Sequence, residues 1–174
     1  IFIPNSVAQI ESFVFCGCSS LKEIILPSIL TYLGCSAFKD CKSLQQISIP
    51  SSITSIDEHT FDGCVLLKSV SIPLGVTSIG YYAFANCESL SELAIPDSVN
   101  SIGKFSFYCC SSLKQVSISS SVKEIRESVF EGCSSLAKIS VPPLVTSIGK
   151  NAFKGCSSLT EFPFSIEEAQ LENI

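Results

Sequence analysis

The amino-acid sequence predicts an α/β repeat solenoid of about seven units, each 23 residues long. Cysteine recurs at intervals of 23 residues, with phenylalanine three positions before it and leucine three positions after it. A unit this short cannot bury its own apolar side, whereas stacked units share one continuous core. The in-register cysteines are Cys18, Cys41, Cys64, Cys87, Cys110, Cys133 and Cys156.

Each unit contains a strand signal and a turn signal. The strand signal is an alternating apolar segment such as Ile47-Ser48-Ile49, and the following Pro50 ends it because proline has no N–H for sheet pairing. The segment around Ala83 and Phe84 predicts a single helical turn, which packing must hold because it is too short to be stable alone. We therefore expect a parallel sheet on one face of the solenoid and short helical turns on the other.

The position before each in-register cysteine predicts positive φ, because it holds Gly, Asp or Asn in all units but one. Cys109 is the exception, and we expect either local strain or a changed turn there. A second glycine-rich position is less strict. It includes Arg126, which indicates that positive φ is not required at that place.

Composition excludes several classes of protein. The chain has 174 residues, 46% hydrophobic and 16% charged, which suits one folded domain of about 7.5 repeats over residues 1–174 and excludes a disordered chain. No segment approaches the ~18 uninterrupted apolar residues of a membrane-spanning helix, so we expect no direct membrane insertion. Eleven Lys and Arg residues against sixteen Asp and Glu, without a basic run, argue against nucleic-acid binding.

The unit L-x-x-I-x-I-P-x-x-V-x-x-I-G-x-x-A-F-x-x-C-x-x resembles the BspA-like leucine-rich repeats, from Ile1 to about Phe164. The resemblance implies a curved, right-handed coil. It also implies adhesion to host or matrix proteins, because this class includes surface antigens of bacteria and parasitic protists. It implies no catalytic residues and no cofactor. Residues 165–174 form an atypical end, with Glu168 at a valine position, and the chain begins at Ile1 inside a strand. We therefore expect it to be a fragment of a longer protein.

The seven in-register cysteines have three candidate roles: disulfides, zinc ligands or core residues. Equivalent side chains in a stack point in parallel, whereas a disulfide needs converging Cβ atoms. Zinc sites need closely spaced ligand pairs, which a uniform interval of 23 residues does not supply. The pattern therefore favours a buried ladder of free cysteines and no metal site.

Three further cysteines lie out of register and are candidate surface thiols: Cys16, Cys35 and Cys109. Cys16 and Cys35 occupy positions at which other units carry charged residues, so both positions are expected to face solvent. Two alternatives stay open for this pair, a disulfide between neighbouring units or two free thiols.

A cluster of aromatic residues is the first candidate binding surface. His59, Tyr82 and Phe105 occupy equivalent positions in consecutive units and should stack, with Tyr81 and Tyr108 beside them. Exposed aromatic clusters are typical of protein interfaces. The alternative is that these rings only cover the turn. His59 is the single histidine, and no motif gives it a catalytic partner, so no enzyme is predicted.

The outward positions of the predicted strands are the second candidate binding surface. They carry Ser48, Ser71, Ser117 and Ser140, which would form a flat face of hydroxyl groups. A parallel strip of Thr-Ser pairs, such as Thr77-Ser78, follows the strands. The alternative is that these small side chains fill tight spaces between units.

The sequence therefore predicts a non-catalytic protein–protein recognition module at the cell surface or secreted, with an unidentified protein partner. The alternative is an intracellular scaffold or a cytoskeleton-associated repeat protein. The absence of an Asn-x-Ser/Thr glycosylation site favours that cytoplasmic alternative.

Overall fold

A computed structural model describes residues 1–160 of the chain, and they form a parallel solenoid. Equivalent residues of successive repeats lie side by side with the expected period. Ile47 pairs with Val70, and Val70 pairs with Leu93. Since every pairing joins residues 23 positions apart, each apolar column of the sequence becomes a ladder through the interior.

The main sheet covers one side of the solenoid with five parallel strands. In each strand the central apolar residue is buried and its neighbours are exposed, as alternating side chains of a one-sided sheet require. The strands are β3 (Gln46–Ser48), β5 (Ser69–Ser71), β7 (Glu92–Ala94), β9 (Gln115–Ser117) and β11 (Lys138–Ser140).

A second side is formed by two-residue strands that pair in three short parallel ladders. Each of these strands ends in a Leu or Ile that faces the core. They are β1 (Gln9–Ile10), β2 (Tyr32–Leu33), β4 (Ser55–Ile56), β6 (Ser78–Ile79), β8 (Ser101–Ile102), β10 (Glu124–Ile125) and β12 (Ser147–Ile148). A single bridge between Phe2 and Ile25 extends the pairing of the main sheet toward the first repeat.

The third side consists of turns. The prediction of short helical turns is not confirmed, since residues 1–160 contain no helix. In the second repeat the N–H groups of Ser36, Phe38 and Asp40 donate to carbonyls of the next repeat at 2.9, 2.9 and 2.7 Å. The intervening N–H groups donate three residues back within the same turn. The φ angles of Ser36 and Asp40 are 56° and 57°, and two left-handed residues this close together interrupt a right-handed helix.

Positive φ at the position before each in-register cysteine is confirmed by Gly17, Asp40, Gly63 and their equivalents. Cys109 keeps the same turn with φ at 57°, a conformation unfavourable for a side chain with a Cβ, so of the two alternatives expected there local strain holds and a changed turn does not. At the second glycine-rich position, which includes Arg126, the prediction that positive φ is not required is correct. Gly103 there has no positive φ, but a Cβ would lie 2.6 Å from the backbone of Gly80.

A second left-handed position recurs four residues before the first, and the sequence did not indicate it. It carries large or polar side chains instead of glycine, with φ between 53° and 65°. Its members are Phe13, Ser36, His59, Tyr82, Phe105, Ser128 and Asn151.

The core contains a continuous inner stack of seven phenylalanine rings at centroid distances of 5.2–5.7 Å and interplanar angles of 3–13°. The inner stack is Phe15, Phe38, Phe61, Phe84, Phe107, Phe130 and Phe153. Six of the in-register cysteines are buried beside it, as predicted, while Cys18 in the first repeat is half-buried. Each thiol from Cys41 onward also donates to the carbonyl of the phenylalanine 26 residues earlier, at 3.1–3.3 Å. Cysteine therefore fills the core and satisfies a backbone acceptor.

Candidate recognition surfaces

An outer stack of His59, Tyr82 and Phe105 runs along the solvent side of the turns. The centroid distances are 5.1 and 4.8 Å, and the interplanar angles are 14° and 13°. Repeats paired in register lie ~4.8 Å apart, which is close to the stacking distance of aromatic rings. The predicted stacking is therefore present, and the repeat register produces it.

Tyr81 and Tyr108 extend the outer stack into an aromatic patch of five rings, which we define as His59, Tyr81, Tyr82, Phe105 and Tyr108. The Tyr81 ring lies 4.4 Å from that of Tyr82 at 69°, and the Tyr108 ring lies 5.9 Å from that of Phe105. Tyr81 is 39% exposed, and the other four residues are half-buried. Burial and the Tyr81 hydroxyl raise the pKa of Tyr82. The patch is partly open to solvent.

A buried carboxylate, which sequence reasoning missed, anchors one end of the patch. Asp62 is 6% exposed and lies within contact distance of the Lys39 ammonium. Its Oδ2 is 3.0 Å from His59 Nδ1, and its Oδ1 accepts a hydrogen bond of 2.9 Å from Asn86. Asp62 is equivalent to Cys16, so the prediction that this position faces solvent is wrong for the third repeat. The 23-residue period, which places Lys39 beside Asp62, was the signal available in the sequence.

The electrostatics of Asp62 favour its charged form. Burial by itself would raise the pKa of Asp62, but hydrogen bonds from Lys39, Asn86 and His59 outweigh it and hold that pKa below its usual range. Because both oxygens already have partners, the carboxylate orients the His59 ring against Tyr82. The contact with Asp62 thus fixes the orientation of the His59 ring at one end of the patch.

The main sheet carries the predicted row of exposed serines. Ser48 pairs with Ser71, and Ser117 pairs with Ser140. A groove of about 600 Å³ passes over Ser48 and Ser71, and a second depression of about 430 Å³ continues over Ala94. Among residues 1–160, no protein group hydrogen-bonds to the hydroxyls of these four serines.

The Thr-Ser strip differs from the row of exposed serines because its threonines stabilise stacking. The hydroxyls of Thr31, Thr77 and Thr146 donate to backbone carbonyls of the preceding repeat at 3.2–3.3 Å. All three threonines are exposed, so these hydrogen bonds join neighbouring repeats at the surface.

The three out-of-register cysteines lie in different environments. Cys16 is exposed, whereas Cys35 and Cys109 are half-buried. All ten cysteines belong to the described part of the chain and are free thiols, so the structure has no bridge between Cys16 and Cys35. In the core, burial raises the pKa of Cys41 to about 12 and that of Cys156 to about 11, which keeps both thiols protonated.

Residues 1–160 lack the features of two other classes of site. No helix in this range has the length and hydropathy needed to cross a bilayer. Nor do His, Cys, Asp and Glu side chains of this range gather in a group of three or more that would hold a metal ion.

Comparison with solved structures supports the solenoid fold. A leucine-rich repeat protein of T. pallidum is 32% identical with a TM-score of 0.89, and the match covers 92% of this chain and 78% of that one. A leucine-rich repeat protein of Eubacterium ventriosum is 27% identical with a TM-score of 0.80, over 97% of this chain and 45% of the other. One from Bacteroides ovatus is 26% identical with a TM-score of 0.56, over 91% and 58%.

Comparison with family models gives a more specific result. No curated protein matches the chain. The family model described as a BspA type leucine rich repeat region matches residues 1–81 and 60–173, with six copies. The number of units predicted from the sequence, about seven, is not confirmed, and a solenoid of about six turns is supported. The described residues do not include the atypical end at 165–174. The chain belongs to the BspA-type leucine-rich-repeat family.

Proposed function

We propose that the chain is a non-catalytic module that recognises a protein partner through the aromatic patch. The observation that carries this proposal is the presence of five aromatic rings in mutual contact on the outside of a rigid, repetitive backbone. Tyrosine and other aromatic residues supply much of the binding free energy at protein interfaces, because they bury large areas and lose little side-chain entropy.

The repeats themselves argue against a merely structural role for these rings. Ser36, Ser128 and Asn151 occupy the position of the outer stack in other repeats, with φ of 56°, 53° and 59°. The turn therefore forms without an aromatic side chain at this position. Since the inner stack already fills the core, the exposed rings of the patch remain available to a partner.

The serine row of the main sheet supports a second, broader contact. Ser71 and its equivalents present small, exposed side chains with unpaired hydroxyls along a shallow groove of the sheet. Such a surface allows close approach of a partner's backbone but offers few anchors. We infer that binding free energy comes chiefly from the patch and that the sheet face contributes hydrogen bonds.

Adhesion at the cell surface is the setting proposed for this recognition, and it rests on the resemblance to surface antigens of the same repeat class. A second candidate is an intracellular scaffold. The observation that favours it is that all ten cysteines are free thiols, which suits a reducing compartment. Protease treatment of intact cells that produce the protein separates the two: loss of the full-length band supports the surface, and survival supports the scaffold.

The recognition proposal is tested with the double substitution Tyr82→Ala and Phe105→Ala. A partner captured and identified with the wild-type chain is titrated against both chains by surface plasmon resonance. We expect affinity to fall at least about 10-fold, as for interface hot spots. Alanine has a Cβ, as Tyr82 and Phe105 do, and meets a similar cost in the left-handed backbone, so the thermal unfolding midpoint should change little. Ser71→Ala with Ser117→Ala, on the main sheet, should weaken binding much less than the aromatic double variant. Unchanged affinity in the aromatic double variant would contradict the proposal.

A further inference from the structure

Tyr81 has one ring face covered and one ring face open. Both faces of Tyr82 are occupied by its stacked neighbours, His59 and Phe105. Tyr81 stands perpendicular to all three of these rings, at 81°, 69° and 82°. Its 4.4 Å centroid distance to Tyr82 is too short for two rings meeting edge to edge. Tyr81 therefore lays one face across the edge of Tyr82, and with 39% exposure its other face is directed to solvent.

The position of Tyr81 in the repeat places it between two charged residues. Glu58 and Lys104 are its equivalents in the preceding and following repeats. Backbone hydrogen bonds join the three repeats at this position. The His59 N–H donates to the Tyr81 carbonyl at 2.9 Å, and the Tyr82 N–H donates to the Lys104 carbonyl at 3.2 Å. Glu58, Tyr81 and Lys104 therefore form one column on the surface.

The charges beside this column are not balanced. Lys104 pairs with Glu127 at 3.0 Å, on the side away from Tyr81, and Lys39 is held by Asp62. Glu58 is exposed and forms no ion pair with any residue in 1–160. Both lysines are thus already paired, while the exposed Glu58 carboxylate, one repeat from Tyr81 in the same column, has no ion-pair partner in the described residues. The whole chain carries a net charge of −5, which attracts cationic partners at longer range.

From this arrangement, and building on the proposed function, we propose that Tyr81 and Glu58 form a subsite for a guanidinium group of the protein partner. The guanidinium would stack on the open face of Tyr81 and donate hydrogen bonds to the Glu58 carboxylate. The ring quadrupole and the carboxylate attract the same cation. Arginine suits this subsite better than lysine, because its planar group can stack and form paired hydrogen bonds at once.

The test measures binding of a fluorescently labelled nona-arginine peptide to the intact chain by fluorescence anisotropy at low ionic strength. A peptide of the same length with citrulline in place of arginine is the neutral control. We expect the arginine peptide to bind more tightly than the citrulline peptide. Tyr81→Leu and Glu58→Gln should each weaken its binding about 2–5-fold, the range for an exposed cation–π contact.

Two matched variants separate the subsite from general electrostatic attraction. Tyr81→Phe keeps the ring and should bind the arginine peptide as the wild type does. Glu92→Gln removes the same charge from the sheet face and should weaken binding less than Glu58→Gln. Equal effects of Glu58→Gln and Glu92→Gln, or no effect of Tyr81→Leu, would overturn the proposal.

The outcomes also distinguish this proposal from the recognition function on which it rests. If both peptides bind equally and Tyr81→Leu weakens both, the patch is a binding surface but not one for cations. If neither peptide binds, the guanidinium subsite is overturned. In both cases the recognition function is decided separately, by the captured partner and the Tyr82 and Phe105 substitutions.

Discussion

The inner stack and the outer stack are two rows of aromatic rings built on the same turns. Ring spacing is 5.2–5.7 Å in the inner stack and 4.8–5.1 Å in the outer one. The inner row has phenylalanine at all seven successive positions of the 23-residue interval. The outer row also has Ser36, Ser128 and Asn151, and its aromatic residues are Phe13 and the consecutive stack of His59, Tyr82 and Phe105. Phe84 has no exposed surface, whereas Tyr82, two residues away, is half-buried.

This difference separates what the fold requires from what it permits. A ring is present at every inner position because each repeat must cover its neighbour's apolar side. At the outer position, serine and asparagine hold the same left-handed backbone as tyrosine. The stacking geometry is a property of the repeat register, while the choice of an aromatic residue outside is free to serve recognition.

Thiol chemistry gives the largest expected difference between the interior and the surface. Because the pKa of Cys41 is raised from 9.0 to about 12, its thiolate fraction at pH 8 is lowered about 1,000-fold, and the residue is also inaccessible. We expect iodoacetamide to modify exposed Cys16 in the native protein and to leave Cys41 intact, as read by mass spectrometry of peptides. In urea both should react, and comparable native rates would show that the interior is open.

Removal of one ring from each stack tests the comparison directly. Phe84→Ala should lower the free energy of unfolding by about 4 kcal/mol, because it leaves a cavity in a fully packed ladder. Tyr82→Ala should cost about 1 kcal/mol or less, as for a surface substitution. Urea unfolding followed by far-ultraviolet circular dichroism measures both. Equal losses would mean that the outer stack is also a structural requirement.

The buried carboxylate at the end of the outer stack should show a specific pH dependence. Asp62→Asn should cost about 2 kcal/mol at pH 7, because hydrogen bonds between the charged carboxylate and its partners are lost. The folded pKa of Asp62 lies below its ordinary value of 3.8, so its contribution is complete above that value. It is lost as pH falls through the folded pKa. Urea unfolding curves of wild type and variant should therefore converge in acid, and a constant gap would rule out this role.

The left-handed positions provide the smallest expected effect. Ser36 has φ of 56°, so Ser36→Gly should be more stable than Ser36→Ala by about 1 kcal/mol. Ser106 is the matched control, since it is buried without positive φ and its hydroxyl has no hydrogen-bond partner among the described residues. At this position we expect the opposite order of stability, with Ser106→Ala more stable than Ser106→Gly. Thermal unfolding of the four variants measures both differences.

Much of the candidate site was predictable because the 23-residue period places equivalent residues of successive repeats side by side. Once residues 23 apart are known to pair, His59, Tyr82 and Phe105 must lie side by side, and the inner phenylalanines must do the same. The environment of Asp62 was missed because its equivalents include exposed charged residues, and only the packing around it shows that it is enclosed. Cys35 was placed fully in solvent for the same reason, whereas it is half-buried.

Residue spacing and type are enough to predict the parallel stacking, the burial of the phenylalanine and cysteine columns, and the positive φ before each in-register cysteine. These follow from side-chain identity at a fixed interval, because in-register stacking converts each recurring residue into a ladder. The tertiary structure decided the path of the turn, with its two left-handed residues in place of a helical turn, and the orientation of Tyr81 across the outer stack. The backbone dihedrals of the turn depend on hydrogen bonds between neighbouring repeats, and the ring angles depend on side-chain packing. Residue spacing alone specifies neither.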